Sequence, residues 1–92
     1  MSITNEQEAK DVLAKEGFEN INIWQDGPNF EYGQHTHEKL TAHIILEGEM
    51  LLIDNLGQEK TLKAGDRLDI PAGTTHKAKM GALGCKYVVG EK

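Results

Sequence analysis

The residues of this chain whose types and spacing are best suited to chemistry are its four histidines, His35, His37, His43 and His76. Alternate side chains of a β-strand lie on the same face, so His35 and His37 are expected to point in one direction. His43 lies on what reads as the next strand, where it shares a face with Ile45. Convergent imidazoles are a common way to hold a transition-metal ion. The pattern therefore indicates a transition-metal site among these four histidines.

Length and charge limit the classes of protein to which the chain can belong. Its 92 residues are enough for one small domain. The formal net charge is −5, and no cluster of lysine and arginine stands out, so we expect neither nucleic acid nor a membrane as a partner. No apolar run is long enough to span a bilayer. A domain of this size buries only about 60–65% of its unfolded surface, which favours a homodimer.

The expected compartment follows from the cysteine content and the first residues. Cys85 is the only cysteine, so no disulfide can form within the chain, as expected in a reducing cytoplasm. The segment 1–6 is polar and acidic and does not resemble an export signal. We therefore expect a cytoplasmic protein.

One helix is expected at the start of the chain. The apolar positions Ala9, Val12 and Leu13 form a stripe, which predicts a helix over residues 5–16 within a helical segment 1–18. Thr4 is the expected N-cap, with Gln7 completing a capping box. A glycine at position 17 is typical of a helix end.

The rest of the chain, residues 20–90, predicts a β-barrel. Short apolar segments alternate with turn residues, and none has a helical period. The predicted strands are 21–24, 30–37, 41–46, 49–54, 59–63, 67–70, 76–80 and 85–89. Gly48 is expected to separate the third strand from the fourth, while Gly81 and Gly84 lie between the last two. Many short, evenly spaced strands indicate an all-β sandwich or barrel.

Two motifs resemble those of the cupin superfamily, in particular its small single-domain members. The first motif reads G-x5-H-x-H-x3-E-x6-G and the second reads G-x5-P-x-G-x2-H-x3-N. The positions that match in register are His35, His37 and Gly48 in the first motif, and Gly65, Pro71, Gly73 and His76 in the second. The resemblance covers about half of the chain. It implies an antiparallel jelly-roll barrel with a metal ion in its mouth, bound by three histidines and a glutamate.

Three positions depart from that pattern. Asn29 stands at the leading glycine and Met80 at the final asparagine, neither of which binds metal in the family scheme. Thr41 stands at the glutamate and cannot supply a carboxylate. One hypothesis is that His43, two residues further along the same strand face, replaces the missing ligand. The alternatives are a three-histidine site with Thr41 nearby and water completing the shell, and a role for His43 in hydrogen bonding within the pocket.

An all-histidine site has electrostatic consequences. Neutral imidazoles leave the +2 charge of a divalent ion uncompensated, so an open coordination position favours an anionic ligand or hydroxide. Imidazole ligands suit zinc, nickel, iron or copper, and they suit manganese less well.

Two functions fit these features. The first is a metalloenzyme of the oxygenase or isomerase type, because an open position on a divalent ion can activate small molecules. The second is a non-catalytic module that binds a small ligand or the metal itself. Fold alone does not decide between them.

Overall fold

The computed structural model describes residues 5–92, which contain one helix and six β-strands. In chain order these are α1 (Glu6–Lys15), β1 (Glu19–Asp26), β2 (Glu31–Thr36), β3 (Thr41–Asp54), β4 (Glu59–Lys63), β5 (Arg67–Ile70) and β6 (Thr75–Glu91). Within this described part of the chain, no helix has the length and apolar character needed to cross a bilayer.

Helix α1 confirms the predicted helix to within one residue at each end. Its N-cap is Asn5, whose side-chain oxygen accepts hydrogen bonds from the backbone N–H groups of Gln7 (2.8 Å) and Glu8 (3.1 Å). The predicted cap, Thr4, lies outside the described residues, and Asn5 holds the capping position instead. A short polar side chain one residue later satisfies the free N–H groups of the first turn equally well. Gly17 follows the helix with a φ of +91°.

Two of the predicted strand breaks are wrong. Strand β3 continues through Gly48, and β6 continues through Gly81 and Gly84, so eight predicted strands become six. The register of β3 against β6 shifts between Ile45 and Glu47 and again between Gly48 and Met50. Glycines in a strand can accommodate a β-bulge, which bends the strand without ending its pairing.

The long strands β3 and β6 form the spine of the fold. They pair antiparallel from Thr41 opposite Glu91 to Asp54 opposite His76. On one side of the bulges, β1 and β5 flank them in the order β1-β6-β3-β5, and on the other side the order is β2-β6-β3-β4. The bends therefore divide one sheet into two four-stranded halves.

The two halves face each other across a shared core. The core contains side chains from both halves, namely Ile45, Ile70, Cys85 and Tyr87 from the first, and Met50, Leu52, Leu62, Ala78 and Met80 from the second. This confirms the predicted all-β, antiparallel jelly-roll fold with a short N-terminal helix. Between residues 5 and 92 the outer strands of the two halves do not pair, so the sheet is not closed into the predicted barrel, and side chains pack between its two halves.

Helix α1 covers the outer face of the first half. Ala9 and Leu13 are fully buried there against the outward-facing side chains of β3 and β6, which include Ile44 and Val88. An ion pair also links the helix end to β5, because the two terminal nitrogens of Arg67 donate to the carboxylate of Glu16 at 2.6 and 2.7 Å. The helix thus packs on the outer face of the sheet and does not contribute to the core between the two halves.

Two glycines bring three strand backbones into contact at the bend. Gly48 and Gly84 have φ angles of +78° and +79°. A Cβ atom at Gly48 would overlap the carbonyl oxygen of Gly84, and one at Gly84 would lie 2.6 Å from the carbonyl oxygen of Asp26. Only glycine fits both the backbone conformation and the space.

We expect Gly48→Ala to destabilise the fold strongly, and Gly57→Ala is its matched control. Gly57 has a similar φ of +80°, but a Cβ atom there meets no atom within 4 Å. The control should lower the free energy of unfolding by about 1–2 kcal/mol through backbone strain alone. Gly48→Ala should lower it by about 3 kcal/mol or more, because steric overlap adds to the strain. Urea denaturation measures both, and equal losses would contradict the close approach.

Candidate metal centre

Strands β2 and β6 bring three of the predicted ligands together. His35 on β2 pairs with His76 on β6 in the antiparallel register. His37 lies just after the end of β2, where its backbone continues the pairing with the turn that precedes β6: its N–H donates to Thr74 O (3.3 Å), and its carbonyl accepts from Gly73 N (2.8 Å). The second motif therefore positions both its own histidine and His37 of the first.

The three imidazoles converge on one point. One nitrogen from each of His35, His37 and His76 lies within 4.8 Å of the other two. The rings of His37 and His76 are almost parallel, with 4.7 Å between centroids, and their Nε2 atoms are 2.6 Å apart. His35 completes the group with ring centroids 4.4 Å from His76 and 5.0 Å from His37. Such a group has the donor type and spacing of a transition-metal site.

The backbone determines which nitrogen of His35 is available. Its Nδ1 lies 2.9 Å from the carbonyl oxygen of Gly33. A carbonyl can only accept a hydrogen bond, so Nδ1 carries the proton and Nε2 keeps its lone pair. This is the tautomer that a metal ion requires when it binds at Nε2.

The Thr41 side chain determines which nitrogen of His37 carries the proton. The Thr41 hydroxyl donates its one proton to the carbonyl oxygen of Lys39 (3.0 Å), so towards His37 it can only accept. His37 Nδ1, 3.1 Å away, therefore donates to Thr41 Oγ1, and its Nε2 directs a lone pair towards His76 Nε2, 2.6 Å away. The residue at the position of the family glutamate thus orients a neighbouring histidine.

His43 and His76 are buried, and burial disfavours their charged form. Their exposed fractions are 7% and 6%, and among the described residues no partner reaches the Nδ1 atom of either. Burial, followed by the charge of neighbouring histidines, lowers the pKa of each to about 4. Burial and then His35 also lower the pKa of His37. Neutral imidazoles with free lone pairs fit a divalent metal ion without first losing a proton.

His43 lies in the same pocket but outside the group of three. Its ring centroid is 6.1 Å from that of His37 and 5.9 Å from that of Tyr87. The convergent group consists of His35, His37 and His76. Four-histidine coordination, with His43 as the fourth ligand, therefore stays a prediction.

The histidines line a pocket between the two halves of the sheet. Its volume is about 290 Å³. The lining side chains are Trp24, Tyr32, His35, His37, His43, Met50, Leu52, His76, Ala78, Tyr87 and Val89. Among the described residues 5–92, the side chains that line the pocket are thus a cluster of imidazoles and a wall of apolar and aromatic groups.

Asp26 holds the aromatic wall of the pocket, a role that sequence reasoning missed. Tyr32 donates to both of its carboxylate oxygens (2.9 and 3.0 Å), and Tyr87 donates to Oδ2 (2.9 Å). The indole N–H of Trp24 donates to the Tyr32 hydroxyl (3.0 Å). Burial and the Asp26 contact raise the pKa of Tyr87. The sequence shows only an aspartate before a turn, because its partners are 6 and 61 residues away.

Comparison with known families agrees with this geometry. The family model described as a cupin domain, of the cupin 2 type, matches residues 22–82. The chain therefore belongs to the cupin family, and the resemblance noted in its two motifs is confirmed. A search of curated proteins gives no significant match.

Several solved structures share the fold. A cupin-2 domain containing protein from Shewanella frigidimarina is 28% identical, with a TM-score of 0.67 over 77% of this chain and 67% of that one. A cupin superfamily protein from Desulfitobacterium hafniense is 21% identical, with a TM-score of 0.69 over 77% and 63%. A DUF861 family protein from Thermotoga maritima is 18% identical, with a TM-score of 0.70 over 89% and 90%. The chain spans about two thirds of the length of the first two.

The metal-free protein should lose stability in mild acid because of His43. Its pKa is about 4 when folded and near 6.5 when exposed, so between these values the unfolded chain binds more protons. The free energy of unfolding therefore falls as the pH is lowered from about 6.5 to 4, by about 1–3 kcal/mol for this residue. Urea denaturation in the presence of chelator at several pH values measures the fall. His43→Gln should make the curve shallower, and an unchanged curve would contradict a buried, neutral imidazole.

Proposed function

We propose that this protein is a metal-dependent cupin that binds a divalent transition metal through His35, His37 and His76 and acts on a small molecule in the adjoining pocket. The observation that carries the proposal is the approach of three imidazole nitrogens to within 4.8 Å of one another. The metal classes that suit these ligands are zinc, nickel, iron and copper, with manganese less favoured. The reaction types we infer are those of an oxygenase or an isomerase.

The residues around the ligands prepare them for binding. The Gly33 carbonyl and the Thr41 hydroxyl hold the Nδ1–H groups of His35 and His37, so that both present Nε2. Outer partners of this kind orient the ring and make the ligand more basic. His76 is held in place by burial, and Pro71 and Gly73 shape the turn that leads to it.

The charge of the site determines what it attracts. Three neutral imidazoles do not offset the charge of a divalent ion, and no acidic side chain is among the described residues that line the pocket. When bound, such an ion supplies Lewis acidity and, for iron or copper, redox chemistry at an open position. The site therefore favours an anionic small molecule or hydroxide.

A non-catalytic binding module is the second candidate. The observation in its favour is that, among the described residues that line the pocket, the histidines are the only ionisable side chains apart from tyrosines whose hydroxyls are engaged with Asp26. Thermal shift against a panel of small acids, together with oxygen uptake and product analysis, separates the two. Stabilisation without turnover by any first-row metal form favours the binding module.

Homodimer formation and a cytoplasmic location stay predictions.

Metal content of purified variants tests the ligand set. The protein should be made without a polyhistidine tag, loaded with zinc or iron, dialysed and assayed by mass spectrometry for bound metal. We expect about one ion per chain for the unaltered protein. His37→Ala and His76→Ala should lose nearly all of it, because two imidazoles bind too weakly to survive dialysis.

His43→Ala is the matched control for that experiment, because it removes an equally buried imidazole from the same pocket. It should retain the metal. Loss of metal in His43→Ala equal to that in His37→Ala would instead support the four-histidine set. Full retention in every variant would overturn the site altogether.

The role of Thr41 gives a further prediction. Thr41→Val keeps the shape of the side chain but removes the acceptor for His37 Nδ1–H, so metal affinity should fall by about 10- to 100-fold. Thr36→Val is the control, since its hydroxyl bonds that of Thr75 (2.7 Å) and not an imidazole. Competition with a chromophoric chelator measures both affinities. Equal effects of the two substitutions would show that Thr41 has no special role.

A further inference from the structure

We propose that Asp26 is a specificity-determining residue, which makes the pocket selective for small organic acids with an apolar body by engaging the hydroxyl protons of its aromatic wall. The inference rests on the proposed metal site, which would bind the acid group. Asp26 itself is not among the lining residues; it acts from behind the wall.

The first step concerns the hydrogen-bond donors of the wall. A tyrosine hydroxyl has one proton, and those of Tyr32 and Tyr87 both point to the carboxylate of Asp26, at 2.9–3.0 Å. The Trp24 N–H is directed to the Tyr32 hydroxyl at 3.0 Å. Every polar hydrogen of the three aromatic residues is therefore already engaged.

The second step concerns what remains for a ligand. The other side chains of the wall, Met50, Leu52, Ala78 and Val89, offer no hydrogen-bonding group, apart from the weakly accepting sulfur of methionine. Among the described residues of the lining, the wall therefore has no free side-chain hydrogen-bond donor. A ligand that fills about 290 Å³ can find such a donor only at the imidazole end of this described lining.

The third step is energetic. A polar group that leaves water for a site without a partner loses its hydrogen bonds to water and gains none in return. An apolar body loses nothing of this kind and gains from burial. The pocket should therefore select for an acid group at the imidazole end and against a polar atom along the aromatic wall.

The local fold keeps Asp26 in position for this role. Asp26 pairs with Cys85 at the end of β1, and its carbonyl oxygen lies against Gly84 at the bend of β6. Its side chain meets tyrosines from two other strands, β2 and β6. One carboxylate thus links three strands and aligns both hydroxyls away from the ligand space.

The test compares two acids of matched shape, cyclohexanecarboxylate and tetrahydropyran-4-carboxylate, which differ by one ether oxygen. Their dissociation constants are measured by calorimetry on zinc-loaded protein whose metal content has been determined on the same sample. The unaltered protein should bind the first acid at least about tenfold more tightly. Asp26→Ala should reduce that ratio to about threefold or less, because it removes both acceptor oxygens of the two hydroxyls, and a freed hydroxyl can donate to the ether oxygen.

Tyr87→Phe is the matched control. It removes one hydroxyl contact of Asp26 but frees no donor, because Tyr32 still donates to Asp26 and accepts from Trp24, so the ratio should stay at or above that of the unaltered protein even if both acids bind more weakly. A purely structural role of Asp26 would weaken both acids equally and leave the ratio unchanged. If Asp26→Ala does not fold, Asp26→Glu serves in its place, since the longer side chain cannot meet both hydroxyls at the same distances; its ratio should also fall.

The outcomes separate this inference from the proposed function. A full zinc content with an unchanged ratio in the position 26 variant, or with no binding of either acid, overturns the role of Asp26 and the ligand class while the metal site stands. A zinc content near zero in the unaltered protein overturns the metal site and, with it, this inference.

Discussion

Strands β3 and β6 bend at the same level because Gly48 and Gly84 let their backbones come closer than any side chain would allow. Bulges in paired strands increase local twist and change strand direction. Here they divide a single sheet into two halves that face each other over a shared core. The pocket exists because of this bend, since its lining comes from strands on both sides of it.

The histidine cluster depends on the same architecture and on the neighbours that orient its rings. His35 and His76 approach because β2 and β6 pair in one register, and the turn before β6 also holds the backbone of His37. The Gly33 carbonyl and the Thr41 hydroxyl then leave the Nε2 atoms of His35 and His37 unprotonated. Burial keeps His43 and His76 neutral. Ligand orientation and charge state are thus properties of the surroundings and not of the histidines alone.

The wall of the pocket is apolar and aromatic, in contrast to the polar histidine cluster. Its aromatic side chains hydrogen-bond to each other and to Asp26, so they present ring surfaces to the interior. An imidazole cluster and an apolar wall thus share one small cavity, a combination typical of small-molecule sites. The jelly-roll provides both because neighbouring strands contribute to each.

Much of the fold and of the site could be predicted from the sequence, because the information is local. Motif spacing identified His35, His37 and His76 together with the glycines at the turns, and alternation of apolar residues identified the β-rich fold. The continuity of β3 and β6 was missed, since glycine ends a strand in one context and bends it in another.

The sequence by itself thus determined the family, the candidate ligands and the one helix, since each follows from residue types at short, regular spacing. Tertiary structure alone decided that Thr41 orients the ring of His37 and that His43 lies outside the convergent group of three histidines. It also decided that Asp26 accepts hydrogen bonds from both tyrosines of the pocket wall. These contacts depend on strand register and on side-chain direction, and the partners of Asp26 come from distant strands. No short segment of the sequence contains that information.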